Sequence, residues 1–404
     1  MDVEITYIFL FLSLFFEVFL LMSFLERRGS LGPQASLPAE LPSVAIVVPC
    51  FNESKTVGAT IQSLLALQYP EELLEVIVVD DGSRDETYAV AKQFESNRVK
   101  VFRKENGGKH SAMNFALAHT AAALIGCLDA DSTVASSALL AIIPAFNNPK
   151  VAAVTPGILT KKPENMLQHM QEAEYRLGVF VRFTLAALGS AYITPGPFSI
   201  FRTAVVRELG GWKHGHSTED LEMALHIQDK GYIIANAPRA IVYTGTPRSL
   251  TALFRQRVRW SYGFLRNGVE YRHMFANSSY GNLGIIVLPM ALASIGITLY
   301  FAAHLLLAAI SGIAHEITML RVEGFSFHPS FSFFYINTSA LWFIIIISIA
   351  IVIALISVGS FIGTGNRRPP IGTVLFVLFY SLVAPFWLGT AVVRAVFKTG
   401  VHWR

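Results

Sequence analysis

The chain has 404 residues, of which 53% are hydrophobic and only 15% are charged, and its net charge at pH 7 is +4. Soluble domains carry about 25% charged residues, so this composition excludes an ordinary soluble protein and indicates at least one membrane-embedded part. The mild charge, with no basic run or stacking motif, argues against a nucleic-acid partner. The two cysteines, Cys50 and Cys127, are expected to be buried, reduced thiols.

An apolar span covers residues 3–25 and is interrupted only by Glu17. It is too long for a signal peptide and has neither a basic leader nor an A-x-A cleavage site, so we expect a retained membrane helix within residues 1–27. Acidic residues precede this span and two arginines follow it, which predicts an external amino terminus and a cytoplasmic main domain. Residues 28–43 are a predicted linker, rich in proline and glycine.

Residues 44–247 have the polarity of a soluble domain, and short apolar strands alternate with amphipathic helices at its start. This alternation favours a doubly wound parallel sheet, whose ligands lie beyond the carboxyl ends of the strands. The predicted strands cover residues 44–48, 76–79, 99–103, 124–128, 151–155 and 192–201, and the predicted helices cover residues 54–68, 85–95, 110–122, 164–188 and 217–229.

Pairs of aspartates follow two of the predicted core strands. Asp129 and Asp131 come directly after the strand at residues 124–128. Two carboxylates one residue apart at a strand-to-loop corner can bracket one divalent cation through hard oxygen ligands. The spacing alone is weak, since an acidic turn has the same composition. Asp80 and Asp81 end another strand, and their segment also suits a simple turn.

Two helical segments carry further candidates. Ser217-Thr-Glu-Asp220 begins a predicted helix, in which Ser217 and Asp220 resemble a variant capping box, so capping alone would explain the acids. Residues 248–282 contain a basic amphipathic stretch that is typical of a helix lying at a membrane surface. Gln256, Arg259 and Trp260 would share one face of that helix. Trp260 would also suit a membrane-interface anchor.

Residues 283–404 contain three more apolar spans, each long enough to cross about 30 Å of hydrocarbon. They cover residues 283–314, 338–362 and 371–393. The basic linker after the second of these agrees with the cytoplasmic orientation, but the basic tail (Arg394, Lys398, Arg404) does not, because four simple crossings place it outside. Either residues 371–393 form a re-entrant hairpin bent near Pro385, or the charge bias fails there. Gly284 and Tyr300 suit either a polysaccharide path or helix packing.

Five motifs follow one another along the chain: Asp80-Asp81, Gly-Gly-Lys109, Asp129-x-Asp131, Thr-Glu-Asp220 and Gln256-Arg-Val-Arg-Trp260. In this order the chain resembles the family 2 glycosyltransferases of the GT-A fold. It more closely resembles the membrane-embedded synthases of poly-N-acetylglucosamine, chitin, hyaluronan or cellulose. The likeness covers about residues 42–275. It implies an α/β GT-A domain inserted between transmembrane helices, in an integral plasma-membrane enzyme with a cytoplasmic active site.

The resemblance also implies a role for each motif. Asp131, helped by Asp129, would hold Mg2+ or Mn2+. Asp220, next to Glu219, would deprotonate the acceptor hydroxyl and so invert the anomeric carbon. Trp260 would stack on the acceptor sugar, above a loop that contains Gly196 and Pro197. The residues implied in binding the UDP-sugar are Pro49, Glu53, Asp80, Asp81, Lys109, Asp129, Gln256 and Arg259.

The substrate is less sharply implied than the reaction. The loop Thr194-Pro-Gly-Pro-Phe198 resembles the Gly-Pro form of hyaluronan and chitin synthases more than the Gly-Ala form of poly-N-acetylglucosamine synthases. UDP-N-acetylglucosamine is the first expectation for the donor, with a glycan or a lipid as acceptor. Membrane lipids, an accessory subunit and a second copy of the chain are further expected partners.

Two alternatives remain at the level of sequence. The protein could transfer a single sugar to a membrane lipid, or it could be a transporter or receptor with a nucleotide-sensing domain. Against the latter, Glu17 and His304 are the only ionisable residues deep in the spans, so no charged solute path is visible.

Overall fold

The computed structural model describes residues 3–31, 36–323 and 340–399; part of the predicted linker, and Arg404 of the basic tail, lie outside these ranges. The strands are β1 Val44–Cys50, β2 Leu74–Asp80, β3 Val99–Arg103, β4 Leu124–Cys127, β5 Thr133–Val134, β6 Val151–Thr160, β7 Ile200–Arg202 and β8 Ile233–Thr244. The helices are α1 Val3–Arg27, α2 Val57–Leu65, α3 Thr87–Lys92, α4 Lys109–Ala118, α5 Ala138–Ile142, α6 Met166–Ala187, α7 Thr203–Glu208, α8 Glu219–Asp229, α9 Leu250–Glu270, α10 Leu288–Glu323, α11 Ala340–Thr364, α12 Thr373–Leu375 and α13 Ser381–Phe397.

Within the described residues, eight strands form one mixed sheet in the order β3-β2-β1-β4-β7-β6-β8-β5. Strands β1 to β4 pair in parallel, whereas β7 runs antiparallel to both β4 and β6. The prediction of a parallel sheet is therefore correct for the first four strands and for the pair β6–β8, and it is wrong for β7 and β5, which pair antiparallel with their neighbours. Strands that are buried on both faces have the same apolar pattern in either direction, so composition could not reveal the reversal.

The predicted strand at residues 192–201 is mostly a loop, and only Ile200–Arg202 joins the sheet. Pro195 and Pro197 fall within that segment, and proline cannot donate a ladder hydrogen bond. Phe198 has a φ of +62° and is fully buried, which further separates the segment from strand geometry. Conversely, β8 was not predicted; its Pro238 and the irregular register with β6 obscure the strand pattern.

Two apolar layers hold the sheet. Along β1 alternate side chains point to opposite faces, so Ile46 packs with α2 and α5 while Val47 packs with α4, α7 and α8. This double cover leaves the carboxyl ends of β1, β2 and β4 at one common edge. The aspartates that follow β2 and β4 therefore lie at the same edge of the domain.

The predicted capping box at the start of α8 does not form. Ser217 has a φ of +66°, and the N-cap residue is Thr218, which makes no side-chain capping bond within the described part of the chain. Helix α8 begins at Glu219, so Asp220 lies in its first turn, where its Oδ1 accepts the amide of Leu221 at 2.9 Å.

Four helices of the described residues are long and apolar enough to cross a membrane: Glu4–Arg27, Leu283–Val322, Ala340–Thr364 and Thr373–Phe397. Each coincides with a predicted span. The re-entrant hairpin is wrong, because Thr373–Phe397 is one helix with Pro385 inside it. A π turn at Phe376–Tyr380 precedes this proline, and such turns let a helix continue past a local interruption of its bonding pattern.

Glycines allow the sheet domain to approach these helices closely. A Cβ on Gly359 of α11 would lie 1.9 Å from the carbonyl oxygen of Arg176 in α6. Gly284 likewise faces the carbonyl oxygen of Asn277, at 2.2 Å from a Cβ position, and Tyr300 packs on Phe9 at 4.8 Å between ring centroids. These contacts make Gly284 and Tyr300 packing residues.

The two ionisable residues noted in the spans both have partners. Ser348 Oγ lies 2.7 Å from each carboxylate oxygen of Glu17, which joins α1 to α11. The His304 ring packs edge-on against Tyr300 at 4.3 Å between centroids. Both contacts lie between or within membrane helices, so they contribute to helix packing.

Candidate active site

Lys109 is the central cation of the site. It begins α4, and its Nζ donates to Asp129 Oδ1 at 2.5 Å and lies 3.7 Å from Glu219 Oε1. Burial by itself would lower the pKa of Lys109, but the carboxylates, led by Asp129, raise it well above its ordinary value. Lys109 is therefore a permanent charge that joins the end of β4 to the start of α8.

The loop at residues 194–198 covers this pair. A Cβ on Gly196 would lie 2.3 Å from Lys109 Nζ and 3.0 Å from Asp129 Oδ2, so a side chain at this position would force Lys109 to move. Thr194 Oγ1 donates to the carbonyl oxygen of Asp220 at 2.8 Å. Pro197 follows Gly196. The amide of Phe198 then donates to the carbonyl oxygen of Cys127 in β4. The loop is thus tied to both α8 and the sheet.

A small cavity lies beside this loop, with Lys109, Gly196, Glu219 and Asp220 among its polar lining and Met113 and Trp212 among its apolar lining. Burial, followed by the charge of neighbouring Glu219, raises the pKa of Asp220 to about 6, against the opposing effect of Lys109 and Arg259. A carboxylate with a near-neutral pKa in a cavity has the properties of a general base.

Asp131 lies in a concentration of negative charge. Burial, then the charges of Asp129 and Glu53, raises its pKa to about 6, although Ser132 donates to its Oδ1 at 3.0 Å. Lys161 donates to the main-chain oxygen of Asp131 at 2.7 Å, not to its carboxylate. A divalent cation would relieve the repulsion between the carboxylates. In the described residues no three His, Cys, Asp or Glu side chains form a complete metal cage, so further ligands would have to come from substrate or water.

Asp80 and Asp81 both have protein partners. The Asp80 carboxylate is fully buried, accepts the amide of Ser83 at 3.1 Å and pairs with Arg103 Nε at 3.2 Å. Asp81 accepts Lys104 Nζ at 2.6 Å and the amide of Gly108 at 2.7 Å. Asp81 therefore fixes the glycine turn that precedes Lys109.

The edge of the sheet beside these aspartates is completed by the turn after β1. Pro49 is half-buried in β1, and Glu53 follows it with a carboxylate that accepts Thr56 Oγ1 at 3.0 Å. The amide of Glu53 meets Thr87 Oγ1 at 2.7 Å, which binds this turn to α3. Pro49, Glu53, Asp80 and Asp81 thus lie on adjacent strand ends.

Helix α9 supplies the remaining predicted residues. Arg259 Nη1 donates to the carbonyl oxygen of Ser217 at 3.0 Å, directly before α8. Gln256 Oε1 is buried and accepts no hydrogen bond from the described residues. Trp260 is 38% exposed, and the guanidinium of Arg257 lies 4.1 Å from the centre of its ring. The structure brings Arg259 to the turn before α8 and leaves Trp260 partly exposed.

Two residues that hold the turn before α8 were not predicted from the sequence. A Cβ on Gly263 of α9 would lie 2.1 Å from Thr218 Oγ1. Asn267 Nδ2 donates to both Gly215 O and Thr218 Oγ1 at 2.9 Å. These contacts support His216 and Ser217, which have φ values of +51° and +66°. A glycine and an asparagine one helical turn apart in an otherwise helix-favouring segment were the available signal.

Comparisons of the sequence and of the fold with known proteins both find glycosyltransferases. Residues 42–263 match the family described as Glycosyltransferase like family 2. The poly-beta-1,6-N-acetyl-D-glucosamine synthase of Staphylococcus epidermidis is 28% identical over 362 residues, which cover 88% of this chain and 82% of that protein. The synthase of the same name from Staphylococcus aureus (strain COL) is 31% identical over 244 residues, or 59% of this chain and 58% of that one.

A solved structure extends the likeness to the whole chain. The mannosyltransferase PcManGT from Pyrobaculum calidifontis, in complex with GDP-Man and Mn2+, superposes with a TM-score of 0.65 at 18% identity, over 98% of this chain and 99% of that one. This level of identity supports the fold only. Because the family match spans more than half of the chain and long apolar helices flank the sheet domain at both ends, the protein is a glycosyltransferase of family 2 with a GT-A fold flanked by membrane-spanning helices.

Proposed function

We propose that this enzyme transfers N-acetylglucosamine from UDP-N-acetylglucosamine to the growing end of a β-linked polysaccharide. One observation carries the proposal: Asp220, whose pKa is raised to about 6, lines the same cavity as Lys109, the lysine that binds Asp129. This places a base beside charged groups that suit a nucleotide diphosphate. The similarity to poly-beta-1,6-N-acetyl-D-glucosamine synthases over most of the chain supports the sugar and the polymeric product.

The donor would lie along the strand ends. Asp80 and Asp81, with Pro49 and Glu53 on the adjacent strand, would hold the uridine end. Lys109 and Arg259 would face the diphosphate, because charge accumulates there as the sugar leaves. Asp129, bound to Lys109, would orient that lysine. Gln256, with its unpartnered buried oxygen, would accept a hydrogen bond from the substrate.

The carboxylates of Asp131 and Asp129 would hold Mg2+ or Mn2+. When bound, the cation would neutralise charge on the leaving diphosphate. Burial, followed by the charge of Asp129, raises the pKa of Asp131, and a cation between the two carboxylates would offset that charge.

Asp220 would take the proton from an acceptor hydroxyl. The hydroxyl oxygen then attacks the anomeric carbon, the bond from that carbon to the diphosphate breaks, and UDP leaves from the opposite side with inversion. Glu219 would keep Lys109 in place and raise the pKa of Asp220. Trp260 would stack on the acceptor sugar, while Gly196 and Pro197 would form the floor beneath it.

The membrane helices would hold this site at the cytoplasmic face of the plasma membrane, and the polymer would cross between them. Gly284 and Tyr300 do not support that path, because both pack against neighbouring residues. An accessory subunit or a second copy would complete the path if these helices alone do not.

The test uses the detergent-purified chain with radiolabelled UDP-N-acetylglucosamine and Mn2+. We expect a long polymer that resists lipid extraction. Addition of a single sugar to an extractable lipid would replace the proposal with lipid glycosylation, and hydrolysis without transfer would contradict both. Sealed vesicles with an exoglycosidase on the far side would then test whether the polymer crosses the membrane.

A further inference from the structure

A second arginine in the Gln256-Arg-Val-Arg-Trp260 motif has no role in the proposed chemistry. Arg257 is only 5% exposed. Its Nη2 donates to Glu174 Oε2 of α6 at 2.6 Å, and its Nε donates to the Tyr380 hydroxyl at 2.8 Å. The same hydroxyl donates to Glu174 Oε2 at 2.6 Å, so the three side chains form a closed triangle.

The triangle joins three separate parts of the fold. Arg257 belongs to α9, Glu174 to α6, and Tyr380 to the last membrane-spanning helix, Thr373–Phe397. Tyr380 is the final residue of the π turn, and rings on both sides hold it, Phe376 at 4.9 Å and Trp387 at 5.2 Å between centroids. Since π turns inside α-helices occur frequently at functional sites, a turn that presents this hydroxyl to a buried arginine suggests a specific use.

Arg257 also contacts Trp260, the residue proposed to stack on the acceptor sugar. The Arg257 guanidinium lies over the Trp260 ring, 4.1 Å from its centre, while its Nη2 and Nε donate to Glu174 and Tyr380. Only arginine can use a planar face and two edge donors together; lysine provides a point charge. The position of the Trp260 ring is therefore linked to a membrane helix through a single side chain.

Stability alone explains this arrangement poorly. Desolvation largely cancels the attraction within a buried ion pair, and apolar residues of similar size often stabilise such an interface equally well. A positioning role explains why a charged, planar group occupies the site. Trp260 has one face against Arg257 and remains partly exposed for a ligand.

We propose that Arg257, Glu174 and Tyr380 form a positioning unit that sets the angle of the Trp260 ring for the acceptor sugar and fixes it to the last membrane helix. These three are positioning residues rather than catalytic ones. The inference rests on the proposed acceptor role of Trp260.

The chain supplies a matched control for this unit. Arg248 and Glu164 form an ion pair at 3.0 Å. The pair connects the segments that lead into α9 and α6, the helices that carry Arg257 and Glu174. Its side chains are 71% and 60% exposed, and exposed pairs contribute little to stability. Arg248→Gln therefore removes an α6–α9 ion pair without touching Trp260.

The experiment compares Tyr380→Phe, Arg257→Lys and Arg248→Gln in the full-length enzyme, with short β-1,6-linked N-acetylglucosamine oligomers as primer. Tyr380→Phe keeps the ring packing and removes only the hydroxyl. We expect the KM for primer to rise about tenfold in Tyr380→Phe and Arg257→Lys, the size of a lost hydrogen bond to a charged group, with little change in the KM for donor. Arg248→Gln should leave both constants unchanged.

A second readout follows the ring itself. In protein labelled with 5-fluorotryptophan, the Trp260 resonance, assigned through Trp260→Phe, should shift in Tyr380→Phe but not in Arg248→Gln. An unchanged primer KM and resonance in Tyr380→Phe would overturn the inference, as would an equal loss of donor and primer affinity with a lower melting temperature. If Trp260→Ala leaves the primer KM unchanged, the acceptor role itself fails, whereas a shifted resonance in Tyr380→Phe still supports the positioning of this ring.

Discussion

Gly196 lies directly over Lys109: a Cβ on the glycine would be 2.3 Å from the lysine Nζ. The lysine is fixed from below by Asp129, so the loop, the cation and the carboxylate occupy their positions only together. Gly196 therefore acts through close approach of the backbone, since its φ is not among the positive values of the chain.

Gly196→Ala should break the Lys109–Asp129 pair, because the new methyl group would also meet Asp129 Oδ2 at 3.0 Å. We expect the transfer kcat/KM to fall by at least about tenfold, as for the loss of one charged hydrogen bond at a site. Gly296→Ala is the control, since a Cβ there meets nothing within 4 Å. Wild-type kinetics in Gly196→Ala would show that the loop can move away freely.

Asp220→Asn should abolish transfer, because a side-chain amide cannot act as a base toward the hydroxyl of the acceptor sugar. The expected loss is about 10²–10⁴-fold in kcat, the usual contribution of a general base. UDP binding, measured by calorimetry, should remain within a few-fold of wild type, as expected when a group acts only on the acceptor. Loss of UDP binding would instead assign Asp220 to the donor site.

The pH dependence of transfer should report Asp220. Its folded pKa is raised to about 6, so it is ionised above that pH and becomes protonated, and inactive as a base, as the pH falls through it. Activity should therefore be lost on the acid side near pH 6. Glu219→Gln removes a charge that raises this pKa, and the acid limb should move to lower pH. If the acid limb of the pH profile is unchanged in Glu219→Gln, Asp220 is not the group that titrates there.

Asp131→Asn should weaken UDP binding in the presence of Mn2+, because diphosphate and carboxylate repel each other without a cation between them. Calorimetric titrations of UDP with Mn2+ and with EDTA give the comparison. The wild type should lose affinity in EDTA, whereas the variant should show little difference between the two conditions. Full activity of the wild type in EDTA would contradict a metal-dependent mechanism.

The sequence predicted those parts of the site that follow from local patterns. Buried strands that run into acids, as at Asp81 and Asp129, are readable because strand ends and turn chemistry involve neighbouring residues. The likeness to known glycosyltransferases added that motifs far apart in the sequence belong to one site. Lys109 and Asp129, which come from two of these motifs, are in contact in the structure.

The contacts that shape the site were not readable. Arg257 and Tyr380 are separated by 123 positions, and the hydroxyl that bonds to the arginine belongs to the last residue of a π turn. The loop around Phe198 appeared as a strand, since its apolar residues are buried by the fold rather than by sheet pairing. Such features depend on how helices and strands pack on one another, and the packing partner of a residue cannot be identified from a single sequence.

The packing of α9 on the turn before α8 gives the last prediction. Gly263→Ala would place a methyl group 2.1 Å from Thr218 Oγ1 and 2.3 Å from its Cγ2, so α9 or the turn must shift. That shift would move Asp220, and kcat should fall by at least about tenfold, a usual result of small misplacements at a catalytic centre.

Gly268→Ala is the matched control on the same helix, because a Cβ there meets Phe275 at an ordinary 3.5 Å. Replacing a helical glycine by alanine raises helix stability by about 1 kcal/mol, so this control should melt slightly higher with unchanged kcat. Thr218→Ser removes the Cγ2 methyl and should restore part of the activity of Gly263→Ala. An additive loss in that double variant would show that the two residues do not act through contact with each other.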